Sequence, residues 1–376
     1  MPAKLRHFRP ELVPEGIGRA LHKALGRSGY LDIVGSLKCI GESELVLSRL
    51  RDRFDDQLEA ILSLLTFGAS VPVRSIPSDL HTCLFDLVDS GLCRVDGGRL
   101  RLPGLALTPV DGILYFHDVP TGRQTLYFGT DSLALSTRLQ LPVRCDGLHV
   151  LDACAGPGLQ GLLSAIRGAV VTSVEVNPVA AALCRCNATI NGVADRISVV
   201  RQDIAAFLQG TTDKYYCIFA NPPLLPIPPG YGYPFVGDGG ADGLALTRRI
   251  LELGMKVLDK GGRITCIGIS GGSWVNPKIT SMASKLSVEA GMSGNLVVLA
   301  VDGTDPDSAW VRSMIDSIGL YTDGQVPDAV ELSDSYRKMG CEAVYSYALS
   351  VIDDGYSNWR QVDLSSPSSL GLSWWC

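Results

Sequence analysis

From about residue 147 to its end, the chain alternates near-continuous apolar runs with stretches of helical periodicity. The runs at 148–153, 170–176, 197–200, 216–220, 263–269, 296–301 and 343–351 are short and lack polar alternation, so they read as strands buried on both faces. Helical patterns occupy 158–166, 178–191, 243–258, 276–290 and 308–318. Seven strands with helices between them predict a mainly parallel sheet covered on both sides. A ligand in such a sheet binds at the carboxyl ends of the strands.

The residues at those ends carry the chemistry. After the first strand comes Asp152-Ala153-Cys154-Ala155-Gly156-Pro157-Gly158-Leu159-Gln160-Gly161, in which Gly156, Gly158 and Gly161 fit G-x-G-x-x-G. Glycines there permit a tight turn and close approach of backbone to a ligand. Glu175, 19 residues past Gly156, ends the second strand, where a carboxylate takes both hydroxyls of a ribose. A dinucleotide enzyme satisfies both observations, so they do not separate cofactor classes. Asp203 follows the third strand, in position to accept an adenine amine, and Asn221-Pro222-Pro223-Leu224 follows the fourth. Proline donates no hydrogen bond. A rigid turn of this kind aims the Asn221 side-chain carbonyl and the Pro222 backbone carbonyl at one place, and two convergent acceptors suit an N–H2 group.

In that order, over roughly 127–269, these features resemble a class I S-adenosylmethionine (SAM) methyltransferase. The Asn-Pro-Pro turn and the stretch from Gly237-Asp238-Gly239-Gly240-Ala241-Asp242-Gly243-Leu244 to Leu258-Asp259-Lys260-Gly261-Gly262 are similar to the HemK-type branch, which includes release-factor glutamine methyltransferases. The resemblance implies a Rossmann-like class I methyltransferase sheet of seven strands and SAM as cofactor. It implies Asn221 and Pro222 as the catalytic pair, with Asp152, Ala153, Gly156, Gly158, Glu175, Val176, Asp203, Ile204 and Asn221 around the cofactor. Asp152 has two readings, a contact to the methionine amino group or an anchor for the loop's own amides. Phe128-Gly129-Thr130-Asp131-Ser132 resembles a segment that approaches the methionine end or the acceptor, which implies a ligand contact for Asp131.

Leu224 stands where the amino methyltransferases usually place Tyr or Phe. It offers apolar contact without a π face, which moves the expectation away from a flat base or amide and toward an aliphatic small molecule. Tyr231, Tyr233 and Phe235 lie in a proline-rich stretch with the composition of an apolar lid, whose plainer reading is a stiff surface loop. His149, inside the first strand, reads as a core residue. With no histidine in a loop near Asn221, a nitrogen acceptor fits better than an oxygen that needs a general base.

Residues 1–110 have a different pattern. Helical periodicity covers 14–25 and 42–65, and Ser78 is placed to cap a helix with Leu80, Cys83, Leu84, Leu87 and Val88 on one face and Gly91 as its stop. Asp96-Gly97-Gly98 then turns a hairpin between 92–95 and 99–102. Helices followed by a hairpin resemble a winged helix, so the fold expected is α/β with a smaller N-terminal α+β domain. The would-be recognition helix carries Asp79, Asp86 and Asp89 without Lys or Arg, and such a helix repels phosphate. Substrate capping or homodimerisation through this domain is the expectation. A connector spans 111–146, with strands at 113–116 and 125–128 around a turn at 119–122, and the catalytic domain spans 147–376.

The 376 residues suit two domains, and 46% hydrophobic with 19% charged content excludes a disordered chain. A net charge of −6 gives no global attraction for nucleic acid, and no strong basic patch stands out along the sequence. No apolar run reaches the ~18–20 residues that span a bilayer, and the N-terminus lacks a signal-peptide core, so a cytoplasmic protein without a membrane partner is expected. Eleven cysteines without a C-x-x-C pair, and five scattered histidines, point to reduced structural thiols and no metal. The function expected is SAM-dependent methyl transfer to a nitrogen of a small-molecule acceptor. A protein glutamine, an RNA base, a non-methylating use of SAM and a nucleotide-sensing regulatory protein are the alternatives. The Asp-, Ser- and Gly-rich segment 302–342 has no assigned role.

Overall fold

The computed structural model describes residues 7–36, 53–119, 124–322, 326–365 and 374. The helical pattern at 42–52, Cys39 and the centre of the predicted turn at 119–122 lie outside them. In chain order the strands are Val71–Pro72 (β1), Arg94–Asp96 (β2), Arg99–Arg101 (β3), Leu105–Val110 (β4), Ile113–Asp118 (β5), His149–Ala153 (β6), Val170–Val174 (β7), Ile197–Val200 (β8), Tyr215–Ala220 (β9), Leu258–Ser273 (β10), Asn276–Pro277 (β11), Ser293–Gly303 (β12), Ala343–Ile352 (β13) and Trp359–Asp363 (β14). The chain divides into two compact units. One comprises Met1–Thr130, Leu141–Gly147 and Ala155–Arg201, the other Asp131–Gln140, Leu148–Cys154 and Gln202–Cys376.

In the first unit the helices Ile17–Arg27, Tyr30–Ser36, Asp56–Leu65 and Ser78–Phe85 share one core with the helix Pro178–Ile190. Leu21, Leu25, Tyr30, Ile61, Leu65, Leu80, Leu84, Leu183 and Ile190 are all buried in it. Ser78 is not a cap. Pro77 occupies the cap position without a side-chain hydrogen bond, and the helix ends at Phe85, ahead of Gly91. Gly97 and Gly98, at φ of 56° and 73°, form the two-residue turn that sets β2 on β3, and β1 pairs with the other edge of β3.

The strand expected at 125–128 does not form. Its backbone is taken instead by Asp118, whose Oδ2 accepts the Thr125 and Leu126 N–H groups at 2.7 and 2.9 Å. β5 pairs with β4, which carries a proline and lies between the turn-forming Gly104 and Asp111-Gly112. The free edge of β5 meets two asparagines one turn apart on Pro178–Ile190 and its C-cap. Asn191 exchanges hydrogen bonds with Leu114 N–H and C=O at 2.9 and 2.8 Å, and Asn187 does so with Phe116, both at 3.0 Å. Asn187 Nδ2 also donates to Pro157 O at 3.0 Å. Two side chains thus act as a neighbouring strand.

Strand order in the second unit is β14-β12-β13-β10-β9-β6, with β11 on β10. β6, β9 and β10 run parallel, whereas β13 is antiparallel to both β10 and β12. β7 and β8 of the first unit form a parallel pair. The architecture is α/β and Rossmann-like, with a mixed sheet and an additional N-terminal α/β region. β11 and β14 add to the seven strands expected, and β14 escaped notice because its side chains are largely exposed. His149 is exposed rather than core, and it is the first residue of β6, ahead of four buried positions. Among the described residues no helix is long and apolar enough to cross a membrane.

His117 on β5 is enclosed by Tyr115 and Phe128, with Nε2 at 2.8 Å from Thr108 Oγ1 and Nδ1 at 2.7 Å from the Asp118 carbonyl. The carbonyl only accepts, so Nδ1 carries the proton and Nε2 accepts from Thr108. Burial pushes its pKa down to about 4. The unfolded chain therefore binds this proton more readily between about pH 6.5 and 4, and stability falls as pH drops through that window. Urea titrations at pH 7.5 and 4.5 are expected to show this loss, on the order of 3 kcal/mol from this group, and His117→Gln to lack it. An equal loss in the variant assigns the acid sensitivity to other groups. Asn187→Leu leaves the Phe116 backbone and Pro157 O unpaired and is expected to destabilise by about 2–4 kcal/mol in the same titrations.

Candidate active site

In the first unit the glycine loop is held by one carboxylate. Glu175, 9% exposed, accepts Gly156 N–H at Oε2 and Asn177 N–H at Oε1, each at 2.7 Å. Burial pushes its pKa up, while the N–H groups of Asn177, Gly156 and Val176 hold it down. Asn177 then caps the helix Pro178–Ile190 through Oδ1, with Pro178 in the first turn, as its sequence predicts. The two Glu175 oxygens offer about four lone-pair sites for these three N–H groups, so the loop anchor leaves capacity for a ribose contact. No atom lies within 4 Å of where a Cβ on Gly156 would sit, which leaves room over the loop. Gly158 is the tight position. Its φ is +94°, and a Cβ there would come within 2.4 Å of Cys184 Sγ. Val176, beside the anchor, is half exposed.

The second unit supplies the other predicted residues. Asp152 and Ala153 are buried at the end of β6, followed by Cys154 at φ +61°, an uncommon conformation for a residue with a side chain. Asp203 caps the helix Ile204–Gly210, its Oδ1 accepting Ala206 N–H at 2.9 Å, and Ile204 is buried. This cap is a local role that the sequence reading did not consider, and it leaves Oδ2 for a ligand. Asn221 ends β9. Its Nδ2 donates to Asp131 Oδ2 at 2.9 Å and lies 3.4 Å from Ser132 Oγ. Asp131 is 5% exposed, in the first turn of Thr130–Ser136. A carboxylate only accepts, so this contact fixes the amide's orientation. The opposite atom, Asn221 Oδ1, is buried without a hydrogen-bond partner among the described residues.

After Pro222 and Pro223 the chain doubles back. Leu225 and Ile227 donate N–H groups to the carbonyls of Gly237 and Gly240 at 2.9 and 3.0 Å. Leu224 is 8% exposed, and Phe235 is 61% exposed. Tyr231 is half-buried. Tyr233 packs edge-on against Tyr321 at 5.3 Å and is also held by Ser317, and Tyr336 donates to Pro226 O at 2.9 Å. Tyr321 and Tyr336 belong to the helices Ala309–Tyr321 and Ala329–Lys338. Segment 302–342 therefore buttresses the proline-rich stretch, a role its Ser- and Gly-rich composition did not disclose.

The structure brings Asn221 together with Asp131 and Ser132 of the segment 128–132 across some 90 residues, and it adds Asn187, for which no sequence pattern gave a signal. Gly158→Ala is expected to lower stability by roughly 1–3 kcal/mol in thermal or urea unfolding. Adding Cys184→Ala is expected to recover part of that loss, and no recovery would mean that backbone strain alone sets the cost.

A family model described as RNA cap guanine-N2 methyltransferase matches residues 148–227. The chain is 36% identical over 100 residues to a ribosomal protein L11 methyltransferase of Desulfitobacterium hafniense, covering 26% of this chain and 31% of that protein. It is 32% identical over 128 residues to a ribosomal protein uL3 glutamine methyltransferase of Bradyrhizobium diazoefficiens, covering 31% and 40%. It is 35% identical over 96 residues to a tRNA1(Val) (adenine(37)-N6)-methyltransferase of Edwardsiella ictaluri, covering 25% and 38%. The chain thus spans less than half the length of these curated relatives. The stretch matched by the family model carries the glycine loop, Glu175, Asp203 and the Asn-Pro-Pro turn, and it is there that the chain is similar to methyltransferases.

Proposed function

We propose that the chain methylates a planar N–H2 nitrogen, the exocyclic amine of an RNA purine base. The observation that carries this reading is the Asn221 amide, whose N–H2 end is held by Asp131 while its carbonyl oxygen is buried without a partner among the described residues. An unpaired buried acceptor costs on the order of 1–3 kcal/mol, and an N–H donor on the acceptor molecule relieves that cost. The guanine-N2 family model and the adenine-N6 relative support a nucleobase. The uL3 relative favours a second reading, a protein glutamine, whose amide presents the same planar N–H2 group. The relatives are named for macromolecular acceptors, so a small molecule, favoured by the net charge and Leu224, has less support.

SAM supplies a methyl group on a positively charged sulfur, so the protein's task is alignment more than proton transfer. Asn221 Oδ1 and the Pro222 carbonyl would accept from the acceptor nitrogen and orient its lone pair; alignment of this kind contributes about 7–11 kcal/mol at best. Asp131 acts through Asn221 by preventing the amide from turning over. Glu175 would accept the ribose hydroxyls, and Asp203 Oδ2 the adenine amine. Asp152 would face the methionine amine, and Ala153, Gly156, Gly158, Val176 and Ile204 would line the cofactor. Leu224, Tyr231, Tyr233 and Phe235 would form the acceptor side.

Asn221→Ala is expected to lower kcat by about 100-fold or more while the calorimetric Kd for SAM stays within roughly threefold; loss of SAM affinity instead would remove Asn221 from acceptor positioning. Glu175→Ala is expected to weaken SAM binding at least about tenfold, and an unchanged Kd would sink the ribose assignment. Incubation with methyl-labelled SAM and separated pools of RNA and ribosomal protein tests the acceptor, with label expected as a methylated purine. Label found only in methylglutamine would establish the second reading.

A further inference from the structure

We infer that the β2–β3 hairpin of the first unit is a binding surface for the phosphate backbone of RNA, an inference that rests on the RNA reading above. Residues alternate faces along each strand, so Arg94 and Asp96 on β2 share a face with Arg99 and Arg101 on β3, while Val95 and the fully buried Leu100 point to the core. The register sets Arg94 directly opposite Arg101 and Asp96 opposite Arg99. The turn Val73–Ser75, which carries exposed Arg74, is bonded to the hairpin tip through Val73 N–H and Gly98 O at 3.0 Å. These strands and the turn therefore carry four arginines and one carboxylate, Asp96.

Like charges placed directly opposite destabilise a strand pair. Asp96 offsets part of this by pairing with Arg101 at 3.0 Å, and Arg99 is held by Ser70. Arg94 has no ion-pair partner among the described residues. Three-residue strands have little other cross-strand contact to absorb the repulsion. A polyanion lying along the face neutralises it, and arginine forks match phosphate oxygens in geometry as well as charge. The segment 78–89, in contrast, carries Asp79, Asp86 and Asp89 without Lys or Arg, so contact through the hairpin reconciles an RNA acceptor with a net charge of −6.

The test uses the full chain and fluorescently labelled bulk tRNA, with anisotropy read from 50 to 200 mM salt. Arg94→Gln with Arg101→Gln is expected to weaken binding roughly tenfold and to reduce the salt slope by about 1.5–2, while Tm stays level or rises as the repulsion is relieved. Asp96→Asn is expected to tighten binding severalfold. Wild-type binding to tRNA with unchanged affinity and slope in the double variant would overturn the hairpin assignment and leave the RNA reading standing. Absence of tRNA binding by the wild type, together with methylation of the ribosomal protein pool, would overturn both.

Discussion

The glycine loop depends on Asn187, a single side chain that makes three hydrogen bonds to backbone far away in sequence. Its amide completes the edge of β5 at Phe116 and holds the Pro157 carbonyl inside the loop. Because Asn187 lies on the helix that also fills the N-terminal core, the loop's position is tied to the packing of Leu21, Leu25 and Leu183. Glu175 holds the same loop at Gly156 and the start of that helix at Asn177. Two buried polar side chains thus fix a turn whose glycines would otherwise leave it free to move.

The Asn-Pro-Pro turn follows similar logic in the second unit. Asp131 determines which way the Asn221 amide faces, and the proline-rich stretch that follows is held by Tyr233, Tyr321 and Tyr336. Rigid backbone at the turn, an oriented amide and a buttressed flank are features that an alignment mechanism needs. Asn221 Oδ1 remains without a hydrogen-bond partner among the described residues.

Periodicity located most of the long elements well, because strands buried on both faces and helices packed on them leave clear apolar patterns. It failed where polar side chains replaced backbone pairing. Residues 125–128 look like a strand, yet their N–H groups go to Asp118, and β4 was passed over although it is the strand that pairs with β5. His149 was misplaced because a strand's first residue shares its composition but not its burial. The basic hairpin face was overlooked because its arginines are dispersed in sequence and converge only through a period of two.

The order of chemical groups was legible in the sequence alone: glycine loop, Glu175, Asp203 and the Asn-Pro-Pro turn, each at a strand end, and with them the fold class. Local rules suffice there, since each motif is a few adjacent residues whose conformation is set by glycine, proline or a cap. Only the tertiary structure decided that Asp131 orients Asn221, that Asn187 secures the loop, and that the arginines of the hairpin share one face. The first two of these join residues separated by tens of positions, and a hydrogen bond between such partners leaves no periodic trace in either segment.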